Sequence, residues 1–245
     1  MLVEAMKNNR HIEGVIWDFD GTLTDFDLDG ASPVVNACVH AVLSLGVPLT
    51  PVEARELAQT GFERHGRFFP SFEQYGLNKR EFHHAFYAAL DSSVIHFSRD
   101  LSDAFGRCGL NNHVLLTHSA RVWVEAGIRR LGLADYFPDK NILALEDFNF
   151  IRKHESQVPF TSGLEILNTS PGDTAVIEDT VRNLEIPHGM GMLTILVNRR
   201  EPLSSRPGCV QHEARNAAGA LEIIARTNVG SRAARGYPKR GGRDS

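Results

Sequence analysis

The chain has 245 residues, 42% hydrophobic and 23% charged, with a formal net charge of −4. That is the composition of an ordinary soluble globular chain, long enough for one α/β domain plus a small insertion, and its mild acidity gives no general reason to expect nucleic-acid or membrane binding. No apolar run approaches bilayer-spanning length, and the three scattered cysteines (Cys38, Cys108, Cys209) exclude a disulfide framework or zinc site and suit a reduced, cytoplasmic setting.

In chain order, residues 1–12 carry charges and no apolar stretch of the secretory type. Val15-Ile16-Trp17 then reads as a short buried strand over 13–18, ending in Asp18-Phe19-Asp20-Gly21-Thr22. Alternation along an extended chain points Asp18 and Asp20 to the same side, at the strand end where ligands bind in open parallel sheets. Two such carboxylates repel each other unless a cation or a shared proton compensates.

The next stretch has helical periodicity and no strand signal. Helices are predicted over 32–46, 51–60 and 79–90, the second opened by the capped start Thr50-Pro51-Val52-Glu53. Within this stretch Arg64 and Arg67 stand beside Phe62, Phe68 and Phe69. Guanidinium forks match phosphate or a polar leaving group, and aromatic neighbours can stack on a base; two solvated arginines beside core phenylalanines is the equally weighted alternative.

Alternation of strand and helix resumes at 113. Strands are predicted at 113–117, 141–145, 174–178 and 193–198, with helices at 120–132, 160–168, 181–188 and 213–226, the signature of a parallel sheet covered by helices. Thr117-His118-Ser119 lies at the junction of the second strand and its helix, where backbone amides and the Thr117 hydroxyl can bind a phosphoryl group; His118 itself reads as a cap-side or solvated residue. Glu178 and Asp179 end the fourth strand, facing the same pocket as Asp18 and Asp20, and oxygen-only ligands of this kind suit Mg²⁺. The basic, glycine-rich tail 228–245 has no apolar face and is expected to be disordered.

The spacing DxDGT at Asp18, followed by Thr117, a lysine and Glu178-Asp179 in order, resembles the motif set of the haloacid dehalogenase-like hydrolases. The resemblance implies a Rossmann-like parallel-sheet core with an inserted all-helical type-1 cap, divided as core 1–24, cap 25–97, core 98–227 and tail 228–245. It implies that Asp18 is a nucleophile, Asp20 a general acid/base and Lys153 the ammonium that balances their charge, with Arg152 as the possible substitute. Family members usually follow that lysine with proline; here His154 stands in its place. By the same resemblance Mg²⁺ would be held by Asp18, the Asp20 carbonyl, Asp179 and Glu178, with substrate contacts from Thr117, His118, Arg64 and Arg67. Residues 61–84 and 183–192 resemble pyrimidine 5′-nucleotidase-like members, implying a small phosphorylated metabolite, a nucleoside 5′-monophosphate foremost. Phosphoglycolate, sugar phosphates and phosphomutase chemistry are the alternatives, as is a regulatory protein with a nucleic-acid-binding tail; the choice of monomer or homodimer stays open.

Overall fold

A computed structural model describes residues 10–26, 32–96 and 99–234. Its centre is a parallel six-stranded sheet in the order β3-β2-β1-β4-β5-β6. The strands are β1 (Gly14–Trp17), β2 (His113–Leu116), β3 (Ile142–Leu143), β4 (Thr174–Glu178), β5 (Leu193–Val197) and β6 (His212–Ala214). Because β1 is flanked by β2 on one side and β4 on the other, the strand order reverses there, and a crevice opens beyond its carboxyl end. Trp17 lies opposite both Leu115 and Ile177, so the residues that follow these strands emerge level with one another.

Every residue of β1, β2, β4 and β5 is buried, as a sheet covered on both faces requires. One face carries Val15, Trp17, Leu115 and Ile177 against Phe105, Leu221 and Ile224; the other carries Ile16, Val114 and Val176 against Phe160 and Leu167. Between β1 and β2 the chain forms α1 (Ser32–Ser44), α2 (Pro51–His65), α3 (Lys79–Ala88) and α4 (Arg99–Cys108). Helix α2 starts with the expected Thr50/Glu53 capping box and ends at Gly66 in the left-handed conformation (φ 63°). Helix α1 packs on α2 and α3, forming the helical cap, whereas α4 packs on the closing helix α8 (Ala217–Ala234) beside the sheet. Helices α5 (Arg121–Leu131), α6 (Val158–Leu167) and α7 (Glu185–Gly189) complete the alternation.

Four expectations are corrected. The strand predicted at 141–145 contracts to Ile142–Leu143, because residues Leu145–Phe148 wind into a 3₁₀ turn. Residues 212–214 form the edge strand β6 where a helix was predicted to begin; three residues are too few to display alternation. Helix α2 continues five residues past the predicted limit of 60, to His65. The basic tail was expected to begin at 228, yet α8 continues to Ala234, because the Asn228 side chain accepts from Ile12 N (2.7 Å) and donates to Ile12 O (3.0 Å). The rest of the predicted tail, 235–245, lies outside the described residues. Among the described residues no helix is long and apolar enough to cross a membrane.

Candidate active site

The carboxyl ends of β1, β2 and β4 bring Asp18, Thr117, Glu178 and Asp179 around one cavity of about 200 Å³, with Asp20 and Ser119 in its wall. Lys153, delivered by the turn before α6, is buried there with its ammonium 2.5 Å from Asp18 Oδ1 and 2.6 Å from Glu178 Oε1, and it also donates to Leu116 O (3.2 Å). His154 in place of proline does not prevent this. Its Nδ1 lies 3.3 Å from Asn183 Oδ1, and the Lys153 amide donates to His118 Nε2 (3.0 Å), so side-chain contacts shape the turn. Arg152 points its chemistry elsewhere, lining a neighbouring cavity.

Burial raises the Asp18 pKa well above the ordinary carboxylate value; Lys153 opposes this, and Glu178 and Asp179 reinforce it. Asp179 is raised to about 7, by burial first and then by Glu178. Burial works against the Lys153 charge, but Asp18 and Glu178 outweigh it and hold the ammonium protonated. Ligand oxygens of Asp18, Glu178 and Asp179 all lie within 4.8 Å of one another. Three carboxylates against one ammonium leave two negative charges uncompensated, the charge of one divalent cation, so this donor set fits Mg²⁺. The acids are not equally available. Glu178 already accepts from Lys153, from Asn183 Nδ2 (2.6 Å) and from Thr180 N (2.6 Å), while Asp179 is engaged by the Thr180 hydroxyl at 3.2 Å. Gly21 is required beside it: its φ is +77°, and a Cβ there would run into the Asp179 carboxylate.

Asp20 is set apart from this cluster. It accepts from the Ser119 hydroxyl and from Trp123 Nε1 (2.9 Å), and its pKa is raised to about 6 because burial outweighs those two bonds. Ser119 also meets the Tyr87 hydroxyl (3.1 Å), which α3 brings down from the cap. Trp123 and Tyr87 went unnoticed in the sequence. The available signal was that a buried indole or phenol needs a polar partner, but only the fold reveals which one.

Two further readings change. His118 is neither solvated nor a simple cap: burial, then the cations Lys153 and Arg152, hold its pKa well below the usual histidine value, so it stands neutral as an acceptor. The anion site foreseen at the start of the helix after the second strand is narrower than expected, since the first amide of α5, Arg121 N, is taken by Glu146 Oε1 (2.9 Å). Thr117 Oγ1 accepts from Ser119 N (3.0 Å), fixing the turn. Of the two cap arginines, Arg67 lines a second cavity of about 440 Å³ that shares Tyr87 and His118 with the first; Arg64, exposed near the end of α2, does not line it.

A family model described as a hydrolase, haloacid dehalogenase-like hydrolase, matches residues 12–191. No curated protein sequence matches. Among solved structures, a HAD phosphatase from Thermococcus onnurineus superposes with a TM-score of 0.59 at 17% identity, covering 87% of this chain and 98% of that one. A 2-haloacid dehalogenase from Pseudomonas syringae pv. Tomato gives 0.60 at 19% identity, covering 88% and 99%. CbbY from Rhodobacter sphaeroides, in complex with phosphate, gives 0.55 at 20% identity, covering 84% and 95%. At these identities the likeness is one of fold.

Proposed function

The chain belongs to the haloacid dehalogenase-like hydrolases, and from that premise we propose that it is a Mg²⁺-dependent phosphatase releasing phosphate from a small phosphomonoester through an aspartyl-phosphate on Asp18. The observation that carries the reading is the buried Lys153 ammonium between Asp18 and Glu178, with Asp20 held separately as a second acid.

In the first step an Asp18 oxygen attacks phosphorus and the ester P–O bond breaks; protonated Asp20 delivers its proton to the departing oxygen. In the second step Asp20, now ionised, takes a proton from water, and that water's oxygen displaces the Asp18 carboxylate from phosphorus. Asp18 and Asp179, with the Asp20 backbone carbonyl, would hold Mg²⁺, which would supply positive charge to offset that of the phosphoryl oxygens. Glu178 adds charge to the cluster while steering Lys153 and Asn183, and Lys153 with Thr117 holds the phosphoryl group. Segment 25–97 serves as the cap, with Tyr87 reaching the acid/base end of the site.

A nucleoside 5′-monophosphate, with a pyrimidine base foremost, is the substrate we propose. The 440 Å³ cavity supports it by offering Phe68, Phe82, Phe86 and Phe150 to a flat apolar body. The test is hydrolysis of an aryl phosphate with Mg²⁺ by wild type and Asp18→Asn. Loss of several orders of magnitude in rate is expected in the variant, since no other group here forms the intermediate. Equal rates would refute the mechanism, and full activity in excess chelator would refute the metal's role. Ranking phosphorylated metabolites by kcat/KM tests the substrate; preference for a sugar phosphate with indifference to the base would overturn the nucleotide reading.

A further inference from the structure

The larger cavity carries a charge pattern that neither the phosphoryl chemistry nor a neutral base uses. Arg67 reaches it from the cap, just beyond α2, and Arg152 from the core, one residue before Lys153. Neither guanidinium forms an ion pair or hydrogen bond with another described side chain. Lys79 adds a third cation on the same wall, lying 4.9 Å over the Phe150 ring, against the single lining carboxylate Glu73. Arg152 is partly buried and its pKa is lowered, by burial first and then by Arg67; Glu155 partly offsets this. Arg152 is half-buried whereas Arg67 and Lys79 are exposed, and like charges converging on an aromatic-walled space repel one another until an anion arrives.

We infer that the substrate's leaving group carries a second anionic group, a carboxylate or a further phosphate, held between Arg67 of the cap and Arg152 of the core. The geometry suits it. Tyr87 and His118 wall both cavities, so an ester whose phosphoryl group sits at Asp18 extends past them into the space that the two guanidinium forks face. Such forks bind carboxylate or phosphate bidentately, and an anion bridging cap to core would favour the closed cap. The inference rests on the phosphatase reading of Asp18 for the placement of the ester, and it narrows the nucleotide reading to nucleotides that bear a second charge.

The test compares matched esters with Mg²⁺: phenyl phosphate against 4-carboxyphenyl phosphate, and uridine 5′-monophosphate against uridine 3′,5′-bisphosphate. At least one anionic partner should be favoured about tenfold or more in kcat/KM, and the pair with the larger advantage identifies carboxylate or phosphate as the source. In Arg67→Gln and Arg152→Gln the ratio within that pair should fall towards one, whatever happens to the absolute rates. Binding of the same esters to Asp18→Asn, measured by calorimetry, separates this inference from the reading beneath it. Equal kcat/KM and equal affinity within both pairs would overturn the inference and leave the phosphatase standing. Failure of wild type to turn over any ester, with tighter binding of the anionic partners retained, would overturn the phosphatase and leave the anion site standing.

Discussion

Asp20 shows how two neighbouring acids of one motif acquire different surroundings. Asp18 is bound to an ammonium, whereas Asp20 receives only neutral donors, Ser119 and Trp123, and keeps its proton up to about pH 6. Trp123→Phe removes a bond that favours the ionised form, so the alkaline limb of the kcat/KM profile should move to higher pH, with a rate loss on the order of tenfold as the acid loses its anchor. An unchanged limb would separate Trp123 from the proton transfer. The same shift predicts a stability effect. Between the ordinary value of 3.8 and the folded value of about 6, the folded state binds more protons than the unfolded, so ionising Asp20 in place costs stability as pH rises. Asp20→Asn escapes that cost, and its Tm advantage over wild type should grow across this window and then level off. An advantage that shrinks with pH would contradict the sign.

At the scale of elements, the closing helix is tied to the start of the central strand through one side chain. Asn228 satisfies both the N–H and the C=O of Ile12, whose side chain is fully buried just before β1. Asn228→Ala leaves both backbone groups without that partner, at a cost of about 1–3 kcal/mol. Urea unfolding should show the midpoint falling with an unchanged slope, while kcat stays near wild type because Asn228 is remote from the Asp18 cavity. The turn after β3 is a second such device. Asn149 and Phe150 take left-handed backbone (φ 50° and 67°), which places the Phe150 ring in the larger cavity beneath Lys79 and Arg80.

Across the whole molecule, the cap lies on the core beside both cavities. The polar contacts include Arg80 to Glu146 O (3.3 Å) and Asn149 Oδ1 (3.4 Å), Tyr87 to Ser119 (3.1 Å), the cations over Phe150, and His83 Nε2 3.4 Å from Glu146 Oε2, and beside them α3 packs against α5 in one buried cluster. Glu146 also caps α5, and its pKa falls to about 2: burial works against the charge, but the neighbouring His83 ring and the bond from Arg121 N prevail. Phe150→Ala removes the ring on which both cations rest, and KM for an aryl phosphate should rise severalfold, as loss of cation–π contacts worth about 0.5–1 kcal/mol implies. Steady-state kinetics checks this, and an unchanged KM would mean that the ring contributes nothing to closure or binding.

The local chemistry of the chain sufficed for the central strands of the sheet and their acids. Apolar runs ending in Asp18-Phe19-Asp20, Thr117 and Glu178-Asp179 place polar groups at strand ends, because a parallel sheet buries everything before those ends. A capping box announces itself over four residues, as Thr50 and Glu53 do. What the chain could not declare by itself was pairing at long range. The choice between Arg152 and Lys153 depended on a turn held by His118 and Asn183, and the roles of Trp123 and Tyr87 on helices that meet Asp20 from different parts of the chain. Edge strand β6 and the continuation of α8 to Ala234 were likewise decided by partners distant in sequence. Local propensity sets which groups a segment offers, but a buried polar group is stabilised only by the partner the fold brings to it, and that partner is a property of the tertiary structure.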